Sequence, residues 1–109
     1  MADVIDAIED VEKYDPDYDE QLITSIFRSL GPVVYNKDAR YVACTDPYEL
    51  QMVRDGFVKR QLGINDSDKE IDSVLADICE RMKDSVFKLR VTFYYLLVIH
   101  YKKQALFLK

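Results

Sequence analysis

The eleven residues from Val91 to Tyr101, Val-Thr-Phe-Tyr-Tyr-Leu-Leu-Val-Ile-His-Tyr, carry no formal charge when His100 is neutral, and they constrain everything around them. A helix needs about 20 predominantly apolar residues to cross a bilayer, so a run this short belongs in a core. Lys88 and Arg90 before it, and Lys102 and Lys103 after it, mark where it emerges into water. Its β-branched and aromatic residues favour a strand, and an all-apolar run has no clean period to settle the matter. Length does: the run is long for a strand, and no matching partner strand stands out elsewhere. As a helix it places Leu89, Phe93, Leu96, Leu97 and His100 on one face and Tyr94, Val98 and Tyr101 on another. A helix that is apolar nearly all round is enclosed by other helices.

The rest of the chain supplies the enclosing elements. Val4, Ile8 and Val11 form a stripe with Ile5 beside it, giving a helix over 3–14 that ends where Tyr14-Asp15-Pro16 forces the backbone out of the helical region. Leu22, Ile23, Ile26, Phe27 and Leu30 give a second over 17–30, stopped by Gly31 and Pro32. Asp46-Pro47-Tyr48-Glu49 reads as a variant capping box opening a helix over 47–61, in which Gly56 suggests a close helix contact. Ser67-Asp68-Lys69-Glu70 is a second capping box, followed by Ile71, Val74, Leu75, Ile78, Cys79 and Met82 at spacings of three and four, a helix over 67–83. The last helix covers 88–103. Residues 31–46 are irregular, either a small hairpin about Asn36-Lys37-Asp38 or a set of helical turns, with turns the expectation. The tail Ala105–Lys109 either folds back on the core or offers a surface to a partner. The expected architecture is an all-α bundle of about five helices in a single domain, 1–109, with its last helix central and buried.

Charge excludes some functions. A net charge of −5 disfavours non-specific binding to nucleic acid or to anionic membranes. Residues 1–20 hold nine acidic groups and one Lys, whereas residues 86–109 hold five basic groups and no acidic one. The two ends are expected to pack near each other and complement weakly, the alternative being a basic docking face. Two cysteines and a start at Met-Ala-Asp without an apolar leader point to reduced thiols and a cytoplasmic location.

Candidate chemistry is sparse. Three glycines in the whole chain leave no glycine-rich phosphate loop or dinucleotide fingerprint, and no cofactor is implied. The acidic stretch Asp15–Glu20 resembles a calcium loop only at its start, since Glu20 and Ile26 stand where Gly and a bidentate Glu are needed; it serves instead as a cap and first turn. Asp66, Asp68, Glu70 and Asp72 alternate on a helix and do not converge on a metal. Cys44 with His100 as its base would make a thiol enzyme, but nothing in the sequence brings them together, and a buried Cys44 is the commoner arrangement. Tyr94 and Tyr95 cannot share a helix face, so one is expected in the core and the other half exposed. Lys88 and Arg90 at the entrance of the last helix, with Thr92 and Tyr94 just inside, form a possible anion or partner contact.

The segments Tyr14-Asp15-Pro16, Asp38–Asp46, Glu49–Arg54 and Arg90–Leu97, taken together and in this order, resemble a family of small, acidic, bacterial proteins known only as a domain of unknown function. The likeness spans nearly the whole chain, and Arg-Val-Thr-Phe-Tyr-Tyr-Leu-Leu is its most specific piece. It implies no reaction, cofactor or catalytic residue. The functional expectation is therefore a non-catalytic domain that binds another protein or itself, through a surface carrying Tyr101, Leu106 and Phe107. Small-anion binding at Arg90 is the alternative, and a thiol enzyme on Cys44 the third reading.

Overall fold

A computed structural model of the chain describes residues 3–108. Five α-helices follow one another among these residues: α1 (Val4–Glu12), α2 (Glu20–Leu30), α3 (Pro47–Met52), α4 (Asp68–Arg81) and α5 (Arg90–Tyr101). The radius of gyration is 12.8 Å, close to the value of about 13 Å expected for one compact domain of this length. The all-α expectation holds, with one addition. Tyr41–Val42 (β1) pairs antiparallel with Lys88–Leu89 (β2), Tyr41 opposite Leu89 and Val42 opposite Lys88. This short ribbon takes the two residues before Arg90, so the last helix begins at Arg90 rather than at 88, and it ends with Lys102 in the left-handed region.

The caps explain most boundaries. Asp3 accepts a hydrogen bond from the Ile5 amide, and Asp19 accepts one from the Leu22 amide at 3.1 Å. Ser67 and Glu70 form the reciprocal capping box expected of them. At α3 the box is incomplete: the Asp46 side chain caps the Tyr48 amide at 3.0 Å, but the Glu49 side chain turns away to Arg90. Beyond Met52 the chain does not stay α-helical to Gln61, as the three-four spacing suggested. It widens into a π-helix over Val53–Gln61, which re-aims Val53, Phe57 and Val58 so that all three are buried. Gly56 in this segment has open space where a Cβ would stand, so the close helix contact expected there is absent.

The irregular stretch 31–46 opens as a 3₁₀-helix over Gly31–Tyr35. A turn follows in which the Asn36 side chain accepts from the amides of Asp38 and Ala39, both at 2.9 Å. The strand after it pairs with a segment far along the chain and not with its own neighbour, so neither the local hairpin nor helical turns alone describe it.

Everything packs around α5. Each residue from Val91 to Val98 is buried, Tyr94 and Tyr95 included, which corrects the expectation that one tyrosine would be half exposed. Both fit because α1, α2, α4 and the ribbon all pack against this helix, and Phe57 of the π-helix reaches it as well. Tyr94 stacks on Phe57 with ring centroids 3.8 Å apart. On α1 the buried residues are Ala7 and Val11, with Ile8 packed against the core and Ile5 left 58% exposed. Among the described residues no helix is long and apolar enough to cross a membrane.

Candidate functional site

Of the residues proposed as an anion contact, Arg90 and Tyr94 are brought together, and Thr92 and Lys88 are bonded elsewhere. Arg90 sits at the first position of α5, where its amide donates to the Arg40 carbonyl at 2.7 Å. Its guanidinium donates to the carbonyls of Ala39 at 2.6 Å and Tyr41 at 3.1 Å, to the Tyr94 hydroxyl at 3.2 Å, and to the Glu49 carboxylate. Burial works against its charge, but Tyr94 and Glu49 outweigh that and hold the guanidinium above its ordinary value. Four internal acceptors, from the 39–41 segment and from helices α3 and α5, thus occupy the fork that would receive a ligand. Burial likewise pushes the Tyr94 phenol up, with Arg90 opposing. Thr92, two residues on, points to the other flank: it is fully buried and donates to Asp10 of α1. Lys88 donates to the Ser85 carbonyl at 2.8 Å.

The two chain ends meet through hydroxyls. Besides the Thr92–Asp10 bond, the Tyr95 hydroxyl donates to Asp15 at 2.7 Å and accepts from the Asp19 amide at 3.1 Å. The Tyr14 hydroxyl pairs with that of Ser85 at 2.8 Å, and Arg81 donates to the Tyr14 carbonyl at 2.5 Å. The uncharged Thr92 and Tyr95 hydroxyls of α5 thus satisfy the Asp10 and Asp15 carboxylates of the acidic amino-terminal stretch where it meets the core.

Cys44 is not a free thiol. It is bonded to Cys79 across a sequence separation of 35, with the two Cα atoms 6.0 Å apart. This overturns the expectation of reduced thiols and removes the Cys44–His100 dyad, since the sulfur that would attack is already bonded. His100 is exposed and packs edge-on against Tyr101. The redox argument for a cytoplasmic location falls with the reduced thiols.

The proposed interface residues divide. Phe107 packs against the core, and its carbonyl accepts from the Ser25 hydroxyl of α2 at 2.7 Å, so the tail folds back on its own domain. Leu106 is half exposed; Tyr101 is partly buried, and burial, with Asp66 and Glu70 nearby, pushes its phenol up. Lys109 lies outside the described residues.

The more exposed apolar surface is elsewhere. Val86 and Phe87, in the connection between α4 and β2, are 86% and 68% exposed. Phe87 leans on Tyr41 across the ribbon, ring centroids 5.1 Å apart, and the guanidinium of Arg40, in the turn just before β1, lies 5.0 Å from the Tyr41 ring. Beside them runs an open groove of about 370 Å³, bordered by Tyr41, Ala43, Cys44, Val86 and Phe87, with Lys37, Asp38 and Lys88 at its rim. Sequence reasoning assigned this pair no role. The signal was there: two bulky apolar residues in a connection too short to bury them. Among the described residues no three His, Cys, Asp or Glu side chains come together as a metal-binding group.

Comparison with curated proteins finds no match. The family model described as protein of unknown function (DUF2853) matches residues 6–105. With the match running from within α1 to beyond the end of α5, ribbon included, the chain belongs to the DUF2853 family of proteins of unknown function.

Proposed function

We propose that this domain works by binding another protein, and that it does so at the Tyr41–Phe87 face. The observation that carries the reading is the exposure of Val86 and Phe87 beside an open groove, when every apolar side chain from Val91 to Val98 is buried. The partner it fits is a protein segment that sets an apolar side chain against Val86 and Phe87 and directs carboxylates at Lys37 and Lys88 on the rim. Small-anion binding at Arg90 has less behind it, because the guanidinium is already satisfied by Glu49, Tyr94 and two carbonyls.

The test is selection of peptides from a displayed random library on the oxidised full chain, repeated on Val86→Ser/Phe87→Ser. Enrichment of apolar segments with acidic flanks, bound by the parent and not by the double variant, is the expected result. Peptides that bind both proteins equally, or no enrichment at all, would overturn it. So would sedimentation of the parent as a dimer that Phe87→Asp converts to monomers, since the face would then serve a second copy.

A further inference from the structure

The bridge between Cys44 and Cys79 stands at the margin of the core. Both cysteines are partly buried side chains packed against the cluster of fully buried residues, and neither belongs to it. Cys44 lies in the turn that precedes α3, where the Asp46 amide donates to the Ala43 carbonyl at 3.1 Å, and it also borders the open groove under Phe87. Cys79 lies near the end of α4.

Between these two helices runs a second groove, of about 350 Å³, floored by Leu50, Leu75 and Ala76. The disulfide joins the residues just before α3 to the end of α4, and Arg54, on the groove's lining, pairs with Asp72 at 3.2 Å and with Asp68 at 3.7 Å. The α3 segment contributes no fully buried residue of its own, whereas the π-helical continuation buries Val53, Phe57 and Val58. The start of α3 is thus held to α4 by a covalent bond and little buried surface, Glu49 ties α3 to Arg90 of α5, and the π-helical continuation is held by packing and the Arg54 ion pairs.

We propose that the Cys44–Cys79 bridge is a thiol–disulfide exchange site for a dithiol reductant, and that its opening frees the start of α3 from α4 while the core around α5 stays folded. A thiolate of the reductant attacks the Cys44 sulfur from the groove, forming a mixed disulfide, and Cys79 leaves as a thiolate that takes a proton. The reductant's second thiol, deprotonated, then attacks its own sulfur in the mixed disulfide, and Cys44 leaves to be protonated in turn. Two electrons pass to the bridge, and the reductant departs as a disulfide. Cys44 borders the groove of the protein-binding reading, but the exchange rests on the bridge and not on that reading.

Dithiothreitol is the probe, applied to the oxidised full chain in native buffer, followed by alkylation, mass analysis and hydrogen exchange. Expected are two new alkylated cysteines, exchange faster by about tenfold or more over 43–52, unchanged protection over 91–98, and full recovery on reoxidation. A chain that is not bridged as purified, a bridge that opens only in denaturant, or loss of protection over 91–98 together with 43–52 would overturn the proposal. The site of attack is read separately with oxidised glutathione: Cys44 in Cys79→Ser should form the mixed disulfide faster than Cys79 in Cys44→Ser, and the reverse order would overturn that assignment.

Discussion

The Tyr95 hydroxyl, on a side chain only 1% exposed, donates to the Asp15 carboxylate at 2.7 Å and accepts from the Asp19 amide at 3.1 Å. One phenol on the central helix thus ties down the break between α1 and α2 and the capping residue of α2. Tyr95→Phe keeps the ring and leaves both partners short of a bond. The expected loss of stability is about 2 kcal/mol, as for a hydrogen bond to a charged acceptor. Urea unfolding followed by helix signal checks it; an unchanged midpoint would mean that water replaces the hydroxyl without cost.

The same phenol makes stability depend on alkaline pH. Burial, then its bond to Asp15, pushes Tyr95 up to about 12. A group whose proton is held more tightly in the folded state stabilises fully below its unfolded value, about 10 for tyrosine, and loses that contribution as pH rises through the folded value. Between roughly pH 10 and 12 the native chain should therefore lose on the order of 1–2 kcal/mol through this residue. Unfolding curves for the parent and Tyr95→Phe should converge across that window. Parallel curves would show that Tyr95 does not titrate with folding.

Gly56 offers a gain. It lies within the π-helical segment with no atom in the way of a Cβ. Gly56→Ala restricts the unfolded chain without a clash, and should raise stability by about 0.5–1 kcal/mol. Thermal unfolding decides; a lower midpoint would mean that the wide turn itself needs glycine.

Much of this architecture is legible from side-chain spacing, because helices announce themselves locally. The α4 stripe from Ile71 to Met82 and the Ser67–Glu70 box stand within a few residues of each other, and both appear as expected. The family resemblance carried by Arg90–Leu97 and its companion segments likewise proves correct. What escaped notice depends on partners distant in the chain. Tyr41 pairs with Leu89, and nothing near either residue signals the other. Glu49 stands where a capping box wants it, yet Arg90, 41 residues away, claims its carboxylate. Cys44 and Cys79 meet because α3 and α4 lie side by side, which no spacing rule reports. The Val86–Phe87 face was missed for another reason: the pair carries a signal of its own, two bulky apolar residues in a short connection, but it stands next to a longer apolar run that overshadows it.

Arg90 is where this long-range order can be tested by a single substitution. Its fork spans the carbonyls of Ala39 and Tyr41, the Tyr94 hydroxyl and the Glu49 carboxylate, so it fixes the loop that carries β1 to the start of α5. The Arg90 and Glu49 side chains are only 13% and 22% exposed, which limits screening by salt. Lysine keeps the charge but not the planar fork, and its single ammonium cannot reach all four acceptors at once. Arg90→Lys should therefore cost about 1–3 kcal/mol, with part-buried carbonyls left unpaired. The loss should persist in high salt, and hydrogen exchange should quicken over 39–42 before it does over 93–98. Equal quickening in both segments would show that the loop and α5 unfold as one unit, with Arg90 stabilising the whole domain instead of the joint between the ribbon and its helix.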